Sequence, residues 1–114
     1  MRDTRKISWI KAARRDFEEF PEDVQSDMLD AVTVAAEGGK SEKAKPFHGV
    51  DGGVFEIASR YRSDAFRVLY AVKIDVDIWV IHAFQKKSKS GIKTPRMEVD
   101  LIHDRLKRLK EALK

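Results

Sequence analysis

The sequence predicts a mixed α/β (α+β) domain spanning residues 1–114, with element order β-α-α-β-β-β-α and helices against a curved, mainly antiparallel sheet. Two observations carry this. Three runs rich in β-formers follow one another between residues 54 and 84, joined by turns of two or three residues, as neighbouring antiparallel strands require. Apolar residues recur at helical spacing both before this block, over 21–37, and after it, over 94–113. A chain of 114 residues is long enough for one continuous core.

Each element follows from its residues. The β-formers of KISWIKA (6–12) predict a first strand. ARRDFEEF (13–20) predicts a short helix whose Phe17 and Phe20 share a face at i, i+3. Pro21 ends it and opens a second helix, in which Val24, Met28, Leu29, Val32 and Ala35 or Ala36 mark the apolar face. Glu22 and Asp23 suit its positive N-terminal end, and Gly38-Gly39 closes it. Residues 40–53 read as a polar connector with two glycine turns.

The meander comes next. VFEIASRYR (54–62) sets Phe55, Ile57 and Ser59 on one face and Glu56, Ala58, Arg60 and Arg62 on the other. AFRVLYAVKI (65–74) follows a turn at Ser63-Asp64, and DIWVIHAF (77–84) follows one at Asp75-Val76-Asp77. Thr94 and Pro95 are the expected N-cap and first residue of a last helix. Its stripe is Val99, Ile102, Leu106, Leu109 and Leu113, with His103, Arg105, Lys107, Arg108 and Lys110 largely outside. Such a stripe is more often intramolecular core than a dimer or partner seam.

Composition narrows the chemistry. An apolar content of 42% argues against wholesale disorder. No cysteine is present, which excludes disulfides, thiolate zinc sites and cysteine nucleophiles. No long apolar run suggests a signal peptide or a membrane span, which points to a soluble cytoplasmic protein. The three histidines lack metal-ligand spacing, so no metal or other cofactor is expected. There is neither a phosphate-cradling glycine loop nor a nucleophile elbow.

Charge is unevenly placed. Residues 1–59 hold 9 basic and 12 acidic side chains, whereas residues 60–114 hold 14 and 7. The concentration peaks where the apolar strand IWVIHAF runs into QKKSKSGIKTPR, with Lys86, Lys87, Lys89, Lys93 and Arg96. Cations fixed at the end of a rigid strand suit a polyanion, RNA or DNA first.

Arg67 stands out inside the apolar strand FRVLYAV. A buried arginine needs a partner, so it faces either a phosphate, whose developing charge it would stabilise, or a carboxylate such as Glu56. Arg60 and Arg62 extend its surface, unless Arg62 merely serves the turn. Of Lys86 and Lys87, which point to opposite faces, only one can stand beside Arg67. His82 is a candidate acid or base because its unperturbed pKa lies near neutrality, although a lone strand histidine is more often a satisfied core residue. His48, in the FHG segment, and Tyr70 are further candidate proton donors, Tyr70 being equally suited to the core. Trp79 reads as core and His103 as structural or surface.

The segments AKPFHG, GGVFEI, FRVLYAV and IHAFQKKSKSGIKTP, with the closing helix, resemble the RelE/HigB-type toxins, closest to their phage-derived HigB-like branch. The resemblance covers nearly the whole chain, HAFQKK followed by KTP being its most specific part. It implies a RelE-like fold and the toxin of a type II toxin–antitoxin module, an endoribonuclease that cleaves messenger RNA on the ribosome. It implies a cognate antitoxin, commonly of helix-turn-helix type, with which a heterotetramer would form. By position, Arg67 would bind or stabilise the scissile phosphate, and one of Lys86 and Lys87 would neutralise leaving-group or phosphate charge; Lys89 and Lys93 are RNA-contact candidates by their charge in the loop. The strand before departs from the pattern: Ala58 stands where several relatives carry a basic residue, with Arg60 on the same face two positions on. The implied reaction is metal-free attack of a ribose 2′-hydroxyl on the neighbouring phosphate. A non-catalytic RNA- or ribosome-binding module of phage origin would use the same basic surface.

Overall fold

The computed structural model describes residues 4–50, 52–86 and 94–114. Five strands and three helices follow in the order β1 (Ile7–Trp9), α1 (Lys11–Phe17), α2 (Glu22–Ala36), β2 (Ala44–Pro46), β3 (Val54–Tyr61), β4 (Asp64–Ala71), β5 (Ile78–Lys86) and α3 (Arg96–Ala112). They form one open sheet in the spatial order β1-β5-β4-β3-β2. Strand β1 runs parallel to β5, and every other pair is antiparallel. The mixed α+β architecture matches the expected class, with one strand more than the sequence indicated.

That extra strand, β2, lies inside the stretch read as a polar connector. Ala44 is buried opposite Ile57, while Lys45 and Pro46 are exposed. Three residues give too little alternation to read, and a proline is tolerated because β2 is an edge strand. Several boundaries also move: Lys11 and Ala12, read as the end of the first strand, open α1, which ends at Phe17 rather than Phe20. Tyr61 pairs with Asp64, so the β3–β4 turn is Arg62-Ser63 rather than Ser63-Asp64. Arg62 takes φ 58°, the left-handed region that few side chains visit. Pro95, not Thr94, occupies the N-cap of α3, and no side chain caps that helix.

The sheet buries both faces. Phe66, Val68 and Tyr70 of β4 pack with Phe17 and Phe20, and with Val24, Met28 and Val32 of α2. On the other face Leu69, Ala71, Ile81 and Phe84 meet Ile102, Leu106 and Leu109 of α3. The α3 stripe is therefore intramolecular core over its middle, although Leu113 at its end is exposed. Arg5 closes the far end: its guanidinium donates to the carbonyls of Val72, Asp75, Val76 and Asp77, fixing the β4–β5 loop.

One irregularity decides which side chains face α3. Leu69 pairs with His82 and Tyr70 with Val80, so Ile81 is an extra residue, a bulge in β5. A strict period of two would carry the Trp79–Ile81 face on to Ala83 and Gln85. The bulge instead turns His82, Phe84 and Lys86 toward α3, opposite Leu69, Arg67 and Ala65.

Candidate active site

Three cross-strand rows carry the charged and titratable side chains of the α3-facing surface of the sheet. In order along the strands they are Glu56–Leu69–His82, Ala58–Arg67–Phe84 and Arg60–Ala65–Lys86. Arg67 and Lys86 are thus diagonal neighbours on adjacent strands. Arg60 lies across Ala65 from Lys86 and is exposed. Its place makes it an outer continuation of the same basic surface.

Arg67 Nη1 donates to Glu56 Oε1 at 2.7 Å, and both side chains keep only 15% of their surface exposed. The second carboxylate oxygen accepts from Thr94 Oγ1 at 3.0 Å, so the residue expected to cap α3 is spent on Glu56. Arg67 Nε is buried and has no hydrogen-bond partner among the described residues. The guanidinium is therefore held at one corner, with part of its donor fork unused. Lys86 is 4% exposed. Burial, reinforced by the Arg67 charge, pushes its ammonium below the usual lysine range, and Glu56 opposes the shift.

The candidate acid–base groups lie elsewhere. Tyr70 is on the opposite face, 1% exposed and stacked on Phe55, and burial pushes its phenol up to about 12. It does not reach the Arg67 surface. His82 shares the Arg67 face but is 2% exposed with both ring nitrogens engaged. Arg105 Nη1 lies 2.7 Å from Nδ1, and Glu98 Oε1 lies 2.7 Å from Nε2. Because arginine only donates, Nδ1 must accept, so the proton sits on Nε2 and is given to Glu98. Burial pushes the imidazole below its usual range, and Arg105 adds to this against the pull of Glu98. His82 is thus a neutral clasp that holds α3 to β5, the satisfied core histidine rather than the acid or base. His48 is exposed in the turn after β2.

Arg62 also leaves the surface assigned to it. Its guanidinium lies 5.4 Å from the ring centroid of Tyr61, whose side chain packs with the α1–α2 core. It serves the turn. Lys87, Lys89 and Lys93 lie outside the described residues. Sequence reasoning missed Glu98 and Arg105 as partners of His82, having set Arg105 outside the helical stripe. The signal was present: positions 98, 102, 105 and 109 follow the same 4-3-4 spacing as a buried helix face.

The surroundings discriminate between surfaces. An open cleft of about 400 Å³ beside His82 is lined by Asp16, Glu19 and Glu98 as well as Phe84 and Leu101. Three carboxylates against the single guanidinium of Arg105 disfavour a phosphate chain there, whereas Arg60, Arg67 and Lys86 outnumber Glu56 on the neighbouring surface. Among the described residues no three His, Asp or Glu side chains gather as a metal site. No helix there is long and apolar enough to cross a membrane.

No curated protein matches this chain in sequence. In structure it is similar to a double-arginine mutant of the E. coli toxin RelE in the free state, at a TM-score of 0.60 and 16% identity, covering 92% of this chain and 97% of that one. A second similarity is to the toxin–antitoxin complex RelBE2 from Mycobacterium tuberculosis, at a TM-score of 0.48 and 18% identity, covering 75% of this chain and 93% of that one. The profile of the family described as "Phage derived protein Gp49-like (DUF891)" matches residues 15–107. With residues 15–107 matched, the chain belongs to this phage-derived Gp49-like family, and its sheet and helices are arranged as in RelE.

Proposed function

We propose that the protein is the toxin of a type II toxin–antitoxin pair and an endoribonuclease that cleaves messenger RNA, in the cytoplasm and on the ribosome. The observation that carries this reading is the pairing of Arg67 and Lys86 on one sheet face, with Arg60 beside them. The ribose 2′-hydroxyl gives its proton to solvent water as its oxygen forms a bond to the adjacent phosphorus, the bond from phosphorus to the 5′-oxygen breaks, and a 2′,3′-cyclic phosphate and a 5′-hydroxyl result. Arg67 stabilises the charge that grows on the phosphate oxygens. Lys86, its ammonium made more acidic by burial, delivers a proton to the departing 5′-oxygen. Lys87, Lys89 and Lys93 contribute further phosphate contacts in this reading. A cognate antitoxin of helix-turn-helix type, in a heterotetramer with this chain, masks the basic surface with an acidic segment.

Induced expression of the wild-type chain arrests growth and yields cuts in ribosome-bound messages, and Arg67→Ala abolishes both. Unimpaired growth with intact messages under wild-type induction overturns the proposal. One observation favours a second reading, a non-catalytic RNA- or ribosome-binding module: His82 and Tyr70 are locked in structural roles. Ribosome association by a wild-type protein that cuts nothing would favour that module. Association that survives Arg67→Ala while cutting is lost would favour the enzyme.

A further inference from the structure

We infer that Glu56 is a built-in competitor for the RNA phosphate, seated on Arg67 in the free protein and displaced when RNA binds; this rests on the phosphate-binding role proposed above for Arg67. Glu56 presents to Arg67 what a phosphodiester would, an anionic pair of oxygens. One oxygen accepts from Arg67 Nη1 at 2.7 Å and the other from the Thr94 hydroxyl at 3.0 Å. Glu56 also acts on Lys86, whose ammonium it favours electrostatically. The carboxylate therefore lies among the groups that would receive a phosphate.

The geometry of the pair separates a competitor from a permanent strut. An arginine built only to hold a carboxylate does best with two parallel bonds. Here Glu56 touches a single Arg67 nitrogen, and Nε is buried without a partner among the described residues. A phosphate bridging two nitrogens satisfies the guanidinium better than Glu56 does. With Glu56 in place the Arg67–Lys86–Glu56 trio carries one net positive charge; without it, two. Thr94 directly precedes the capping Pro95 of α3, so departure of Glu56 also releases a tie between β3 and the start of that helix.

Binding of a fully 2′-O-methylated RNA oligonucleotide, which cannot be cleaved, tests this over a series of salt concentrations. Glu56→Gln keeps the side-chain shape and removes the charge. It should tighten binding by roughly fivefold at low salt, with a gain that shrinks as salt screens the charge. Paired with Arg67→Ala, the same substitution should give no gain. Thr94→Val, which loosens only the second oxygen, should tighten binding by about twofold, as expected for one lost hydrogen bond near the surface. This variant decides the matter if thermal unfolding finds Glu56→Gln misfolded. Equal or weaker binding by the folded variants, with Arg67→Ala still weakening the wild type, overturns the competitor alone. No effect of Arg67→Ala overturns the competitor and the phosphate role together.

Discussion

Two polar clusters lie on the same face of the sheet, separated by the buried Leu69. One joins Arg67 to Glu56 and Thr94 with Lys86 alongside; the other joins His82 to Glu98 and Arg105. Both are held by bonds of 2.7 Å and both are largely withdrawn from water. They differ in what is left over. Around His82 both ring nitrogens are used, and the charges of Glu98 and Arg105 cancel. Around Arg67 one guanidinium nitrogen has no hydrogen-bond partner among the described residues, and Arg67, Lys86 and Glu56 together carry one net positive charge. Burial of polar groups is common to structural and functional clusters, so it does not mark a site. Unused hydrogen-bond capacity together with net charge does.

The comparison can be broken most sharply at Arg67. On the role proposed for it, Arg67→Ala should lower RNA cleavage by about 10²–10³-fold with the domain still folded at assay temperature, although Glu56 loses its partner. Rates of cleavage on purified ribosomes, read beside a thermal melt, check both halves. Glu98→Ala should behave in the opposite way, costing roughly 1–3 kcal/mol of stability by stranding the buried His82 N–H. Urea unfolding at neutral pH measures it, and an unchanged midpoint would remove the clasp from the account.

A pH series sharpens the same contrast. His82 has its folded pKa below the ordinary 6.5, so the unfolded chain takes up that proton first as pH falls. Its contribution is therefore complete above about pH 6.5 and declines as pH drops toward the folded value. Glu98 and Arg105 on α3 and Asp16 on α1 are the charged groups that act on the imidazole. Urea unfolding at pH 7.5 and 5.5 should show a larger loss for the wild type than for His82→Gln. Equal losses would mean that His82 is not the group being protonated. The smallest effect is expected at Arg5. Arg5→Ala should cost about 1 kcal/mol, since its bonds are partly exposed to water, and should speed amide exchange mainly in residues 72–77.

Much of the fold was legible because it rests on periodicity. The α2 and α3 stripes and the three long strands repeat over eight residues or more, long enough for a period to show. Strand β2 has three residues and gave no pattern. Arg67 was legible because a cation inside FRVLYAV contradicts its neighbours, and its Glu56 partner followed from strand adjacency. The roles of Thr94 and Arg105 were not legible. Both depend on where α3 comes to rest over the sheet, with partners 38 and 23 residues away in sequence.

The sequence by itself determined the order of elements, the amphipathic faces and the set of cations available to an anion. Local steric preference and the burial of apolar side chains are properties of short segments, and they read through directly. Only the tertiary structure decided which lysine joins Arg67. Alternation from Trp79 would turn Lys86 away from α3; the extra residue at Ile81 turns it back. A bulge of one residue reverses every face that follows it, and it lies in the register of β5 against β4, a pairing between segments distant in sequence. No residue type in IWVIHAFQK announces that choice.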